Sequence, residues 1–237
     1  MVKSYACAGI LLFAIGLFPL MAQDNTVPKE MAIKIADRIV ASTVYEFKDV
    51  KTGKVYISLD NVSLNPDIRV NSKYLNWHYT NGVTNMALME LGDKIQNRKY
   101  EDYVLKNMKF IFDKTNQSYF HRLYDKTFRE GGWRAVPRLT WHMIYRNKRL
   151  DDNGPMGASL ITLNQRHPDD AFQKYIETTN HHIMVSEPRL ADGTIARLWL
   201  MKIQFGQMMR LWRCLLFPAW ERLLVKRSIL MMLPIRY

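Results

Sequence analysis

An all-α fold is predicted by three features of the 237-residue sequence. Apolar residues recur every three or four positions, short polar connections separate these stretches, and no segment sustains a period-two alternation bounded by Asn-Gly or Asp-Gly turns. The first helix spans residues 28–43, with Met31, Ala32, Ile35, Ala36, Ile39 and Val40 on one face and Thr26 and Pro28 as start signals. A second follows Asn81-Gly82, places Val83, Met86, Ala87 and Leu91 on one face, and stops at Gly92. A third carries Tyr100, Tyr103, Val104, Met108 and Ile111, and a fourth, over residues 171–183, carries Phe172, Tyr175 and Ile176. Residues 93–99 join the second to the third through polar Asp93, Lys94, Gln96, Asn97 and Arg98, so helical hairpins are the expected unit. Residues 114–150 are aromatic and basic, with Gly131-Gly132 breaking the run, and receive no element.

Composition bounds the function classes. With 48% hydrophobic and 24% charged residues the chain can bury one core, and the two cysteines, Cys7 and Cys214, exclude a disulfide framework or a four-cysteine zinc site. The net charge of +12 is unevenly spread: residues 198–237 hold seven basic side chains against one acid, Glu221, while residues 23–197 hold 26 basic and 21 acidic groups. The body therefore has an ordinary balance, and no nucleic-acid partner is expected. The uncharged run of residues 6–21, preceded by Lys3 and closed by Leu20-Met21-Ala22-Gln23, predicts a signal peptide over residues 1–22. Gly16 and Pro19 interrupt that run, and it is shorter than the roughly 20 residues a membrane span needs. A periplasmic or secreted protein, with no membrane contact after cleavage, is expected.

Two segments are candidates for chemistry. Asp151 and Asp152 are adjacent carboxylates in Leu150-Asp151-Asp152-Asn153-Gly154-Pro155, a turn expected to open a helix. One carboxylate suffices as an N-cap, which leaves the second for another task. Trp77-His78-Tyr79-Thr80-Asn81-Gly82 gathers aromatics and an amide ahead of a helix start, the groups a sugar site uses for stacking and for hydroxyl recognition. The same stretch also fits an aromatic staple with Asn81 as N-cap. His181-His182 has no third histidine at ligand spacing, and no metal site is expected.

Together these segments form one pattern. Trp77-x3-Asn81-Gly82-Val83, Asp151-Asp152-x-Gly154-x-Met156-Gly157-Ala158, His181-His182-Ile183 and Arg189-Leu190-x-Asp192-Gly193-Thr194-x-x-Arg197 occur in an order and at a spacing that resembles glycoside hydrolase families 88 and 105, the unsaturated glucuronyl and rhamnogalacturonyl hydrolases. The resemblance runs from about residue 74 to Arg197, and more weakly back to Pro28; Asn153 and Pro155 stand where Cys and Ala are common in the family. It implies an (α/α)6 toroid of six helical hairpins, of which this chain supplies a part that is incomplete at the C-terminus. It also implies a substrate: an oligosaccharide whose non-reducing end is a 4,5-unsaturated uronic acid. In such families an aspartic acid protonates C4 of the enol ether, water adds at C5, and the hemiketal collapses to release the sugar, with no cofactor. Carried over by motif, Asp152, with Asp151 beside it, is one of the active-site carboxylates, and Trp77, Asn81, His182 and Arg197 are sugar contacts.

After Arg197 the family pattern calls for Trp-Ala-Asp-Asp, which carries the principal acid, and those residues are missing. Joining the third base of each codon to the first two of the next permits Trp at Phe205/Gly206, Ala at Gly206/Gln207 and Asp at Gln207/Met208, and forces Asp at Met208/Met209. Trp220/Glu221 then forces Gly, and Met231/Met232 forces Asp. The pattern predicts a reading-frame slip between Arg197 and Phe205, a domain over residues 23–197, an out-of-frame tail over residues 198–237, and an inactive chain. Two alternatives remain open: a six-hairpin glycosidase acting on ordinary glycosides, with the two carboxylates across the scissile bond, and a non-enzymatic carbohydrate-binding or membrane-associated protein using Trp77, Trp133 and the basic tail.

Overall fold

The computed structural model describes residues 26–147 and 150–195. The expected signal segment, Arg197 and the tail lie outside the described residues. Seven α-helices follow in order: α1 (Thr26–Ser42), α2 (Tyr79–Ile95), α3 (Lys99–Ile111), α4 (Lys114–Ala135), α5 (His142–Arg146), α6 (Leu150–Arg166) and α7 (Asp170–His181). Three short strands, β1 (Phe47–Asp49), β2 (Val55–Tyr56) and β3 (Ile68–Val70), lie between α1 and α2 as an antiparallel sheet of order β2-β1-β3. The all-α expectation holds for the body. The strands are too short to show the four- to eight-residue alternation that marks a strand in sequence. Among the described residues no helix is long and apolar enough to cross a membrane.

α3 and α7 bury the faces their spacing predicts: Tyr100, Tyr103, Val104, Met108 and Ile111 on one, Phe172, Tyr175 and Ile176 on the other. Asp169 caps α7 by accepting the N–H groups of Ala171 and Phe172, at 2.9 and 3.3 Å. α2 departs from expectation at three points. It starts at Tyr79, with the His78 side chain as cap, so Asn81 is not the cap. It runs through Gly92 and ends where Gln96 turns left-handed at φ 56°. Its buried stripe is Asn81, Gly82, Asn85, Leu88, Met89 and Gly92, while Val83 is exposed.

The helix behind that stripe is α6. Asp151, Asp152, Asn153 and Gly154, expected as a turn, are its first residues, and Asp152 through Ile161 are buried without interruption. A helix buried all round occupies the middle of a body, and α6 touches α2, α3, α5 and α7. Pro155 sits in its second turn, where the missing N–H forfeits the bond to one carbonyl. α2 lies against α6 at Gly82. A β-carbon added there would stand 2.4 Å from the Pro155 carbonyl carbon and 2.5 Å from the Met156 nitrogen, both rigid backbone.

At the opposite ends of the same helices Arg166 joins Asp93 (2.7 Å) to Glu101, and His167 Nε2 lies 2.7 Å from Glu101 Oε1. Burial alone would raise the Glu101 carboxyl; hydrogen bonds from His167 and Arg166 outweigh it and hold the group below its ordinary range. The inner face of the sheet, Phe47, Ile68 and Val70, is buried, and Phe47 packs on Phe110, Phe120 and Trp141. α4, absent from the sequence reading, buries Tyr119, Phe120, Leu123, Tyr124 and Thr127 and kinks at Gly132, where φ is 60°. The apolar face expected of α1 is only half covered. Ala36 is buried, whereas Val27, Met31 and Ile35 are exposed, as are Met184 and Val185 in the turn after α7.

Gly82→Ala tests the α2–α6 contact. Alanine gains about 1 kcal/mol of helix propensity, but forcing two backbones apart costs about 3 kcal/mol. A net loss of about 2 kcal/mol, read from the denaturation midpoint, is the expected result. Unchanged or increased stability contradicts the contact.

Candidate functional site

The close approach at Gly82 brings the first turn of α6 to the start of α2. The first N–H groups of a helix have no partner within it and carry partial positive charge. Tyr79 is the first residue of α2, and its N–H donates to Asp152 Oδ1 at 3.2 Å. Asp152 thus caps a neighbouring helix. It is buried, 3% exposed, while Asp151 beside it is half-buried. His78 Nε2 stands 3.8 Å from the same Oδ1. Two helix N-termini and an imidazole converge on this carboxylate.

The next residue, Asn153, is the hub of a buried polar network. Its Oδ1 accepts from Trp77 Nε1 at 3.1 Å and from the Tyr175 hydroxyl at 3.2 Å, and its Nδ2 donates to Asn147 Oδ1 at 2.8 Å. The indole N–H can only donate, which fixes the amide orientation. Burial pushes the Tyr175 phenol above its ordinary range, and the nearby Asp152 acts in the same direction. Asn147 itself sits left-handed at φ 44°, a conformation Asn tolerates.

Asp152, Trp77 and Asn81 therefore gather at one end of α2, as the motif order implies. Their parts differ from expectation. Trp77 is 4% exposed, and Phe112 and Tyr175 pack edge-on to it at 5.6 and 4.9 Å. Expected to stack on a sugar, it instead holds Asn153 from inside the core. Asn81 spends both amide hydrogens on the Lys73 and Asn76 carbonyls, each at 2.8 Å, tying the turn before α2 beneath the helix start. His182 lies two helical turns beyond Tyr175 and faces Glu187, Nε2 to Oε1 3.1 Å. Asp192 accepts the Thr194 N–H at 2.9 Å, and this bond holds its carboxyl below the ordinary range. Among the described residues no group of His, Cys, Asp and Glu is arranged to hold a metal ion. Two surface hollows, of 290 Å³ at the α2–α3 turn and 400 Å³ beside α4, are not lined by Asp152.

Three site residues escaped the sequence reading. His78 lies inside the aromatic stretch, where Asn81 is the alternative cap. Asn153 was a departure from the family pattern, and Tyr175 one of several apolar-face residues.

The model of Glycosyl Hydrolase Family 88 matches residues 53–217, which covers more than half of the chain and continues past Arg197. Among curated proteins none matches. The mostly helical body, built of hairpins, agrees with the all-α toroid of such glycosidases.

Asn153→Ala orphans two buried donors, at about 1–3 kcal/mol each. A loss of about 2–6 kcal/mol is expected, and in a Trp77→Phe background the same change should cost less by one donor. Equal costs in the two backgrounds, measured by denaturant unfolding, contradict the network.

Proposed function

The chain belongs to glycosyl hydrolase family 88 and is a glycosidase by that membership, and we propose that its substrate is an oligosaccharide ending in a 4,5-unsaturated uronic acid. The observation that carries this reading is Asp152, a buried carboxylate in the Asp-x-Gly position, held at the start of α2 beside the Trp77 and Asn81 of the first motif. In the proposed reaction a carboxylic acid gives its proton to C4, and the C4=C5 electron pair forms the new C–H bond. Water adds to the resulting cation at C5 and releases a proton to a carboxylate. The C5 hemiketal then opens by cleavage of the C5–O5 bond to a C5 ketone, its hydroxyl proton passing to O5, and the C1 hemiacetal so formed collapses to an aldehyde, breaking the C1–O bond and releasing the aglycone with its glycosidic oxygen and that proton. Such a reaction needs one protonated and one charged carboxyl group.

The partner acid is proposed to be encoded in the shifted frame after Arg197, which makes the chain as written inactive. The exposed Val27, Met31 and Ile35 on α1 and Met184 and Val185 after α7 leave apolar side chains at two edges of the described residues. The proposed site of action is the periplasm or the exterior of the cell.

The test is to follow the ultraviolet band of a 4,5-unsaturated disaccharide with the chain as written and with a version restored to the shifted frame from Arg197. Loss of absorbance only with the restored version is expected. Substantial turnover by both overturns the frame slip. Turnover of a saturated glycoside by the restored version, without loss of the band, overturns the substrate.

A further inference from the structure

The motifs leave the His78 ring without a task, and the structure sets it against the candidate carboxylate. Its two nitrogens face different surroundings. Nδ1 accepts the backbone N–H of Thr80 at 3.4 Å and lies 2.8 Å from Thr80 Oγ1. A backbone N–H can only donate, so Nδ1 must present its lone pair, and the neutral imidazole then carries its hydrogen on Nε2. That nitrogen faces Asp152 Oδ1 at 3.8 Å. The Tyr79 ring lies alongside, its centroid 4.5 Å from that of the imidazole.

We infer that His78 is a positioning residue for Asp152: capping α2 through Nδ1 fixes its tautomer, and the resulting Nε2–H is aimed at the carboxylate. The inference rests on the reading of Asp152 as an active-site carboxylate. Exposure gives the pair its direction. The His78 side chain is 48% accessible and that of Asp152 5%, so the imidazole is the solvent-exposed member of the pair. The present separation is beyond hydrogen-bond length, as is common for catalytic contacts that close only around substrate. The same oxygen already accepts the Tyr79 N–H, and a second donor from the solvent side would hold the carboxylate in one rotamer. One histidine thereby links the start of α2 to the first turn of α6, the two segments that carry the family motifs.

The test uses the full chain labelled with ¹⁵N at histidine, with His78→Gln to assign the His78 signals, at a pH where imidazole is neutral. Long-range proton–nitrogen spectra report which ring nitrogen carries hydrogen. The expected result is a protonated Nε2 and an unprotonated Nδ1 at His78, with the Nε2 resonance displaced in Asp152→Asn. His167, paired with Glu101 at the far end of α6, reports whether that variant remains folded. A His78 Nδ1–H tautomer in the unmodified chain overturns the inference, and so does an unmoved Nε2 resonance in folded Asp152→Asn. If the variant unfolds, the tautomer in the unmodified chain decides alone. No substrate enters the measurement, so a failure of turnover and a failure of this pairing are read separately.

Discussion

The contact between Gly82 and the backbone of Pro155 and Met156 is the constraint on which the site depends. Two helices normally pack with axes 8–10 Å apart, at a distance set by the side chains between them. Here one helix offers no side chain at the crossing, and the other offers a proline with no N–H to lose. The closeness has two consequences one turn away. The carboxylate of Asp152 reaches the first N–H of α2, and Asn153 reaches the indole of Trp77. A larger residue at position 82 would separate the carboxylate from the helix end that stabilises it.

The same contact explains which parts of the fold were legible in the sequence. α3 and α7 press large apolar residues into the core at regular spacing, and their buried faces follow from Tyr100 to Ile111 and from Phe172 to Ile176. The helical spacing of α2 is legible, but its apolar stripe only flanks the closest contact: Met86 and Leu91 pack at the edge of the core while Val83 is exposed. The side that packs most closely carries Asn81, Gly82, Asn85 and Gly92, residues that a search for apolar stripes passes over. Gly92 lies against Asn97 and Tyr100 rather than ending the helix. Asp151 to Pro155 are turn formers by local preference, and burial among four other helices overrides that preference. α4 has a helical repeat, Tyr119, Phe120, Leu123, Tyr124 and Thr127, hidden among charged residues and followed by the glycine pair.

The site was legible by motif and not by role. The order of Trp77, Asn81 and Asp152 located three residues that do come together, because each lies at the end of an element that meets the α2–α6 crossing. Composition could not tell that the indole would face inward, since an aromatic beside a helix start serves a sugar or a core equally well. What distinguishes them is the partner, Asn153, 76 residues away in sequence. The division of labour that emerges is an inner layer of Trp77, Asn153, Tyr175 and Asn147, which fixes geometry, and the buried Asp152 with the exposed His78 beside it.

The central question is whether a sugar acid comes to this carboxylate. Titration of the ¹⁵N-labelled full chain with a 4,5-unsaturated disaccharide, followed by amide chemical shifts, measures it without requiring turnover. Binding at Asp152 gives shifts concentrated at the amides of residues 78–80 and 151–154, and their loss in Asp152→Asn. Saturable shifts centred on α4 or on the α2–α3 turn, with residues 78–80 and 151–154 unmoved, would contradict it.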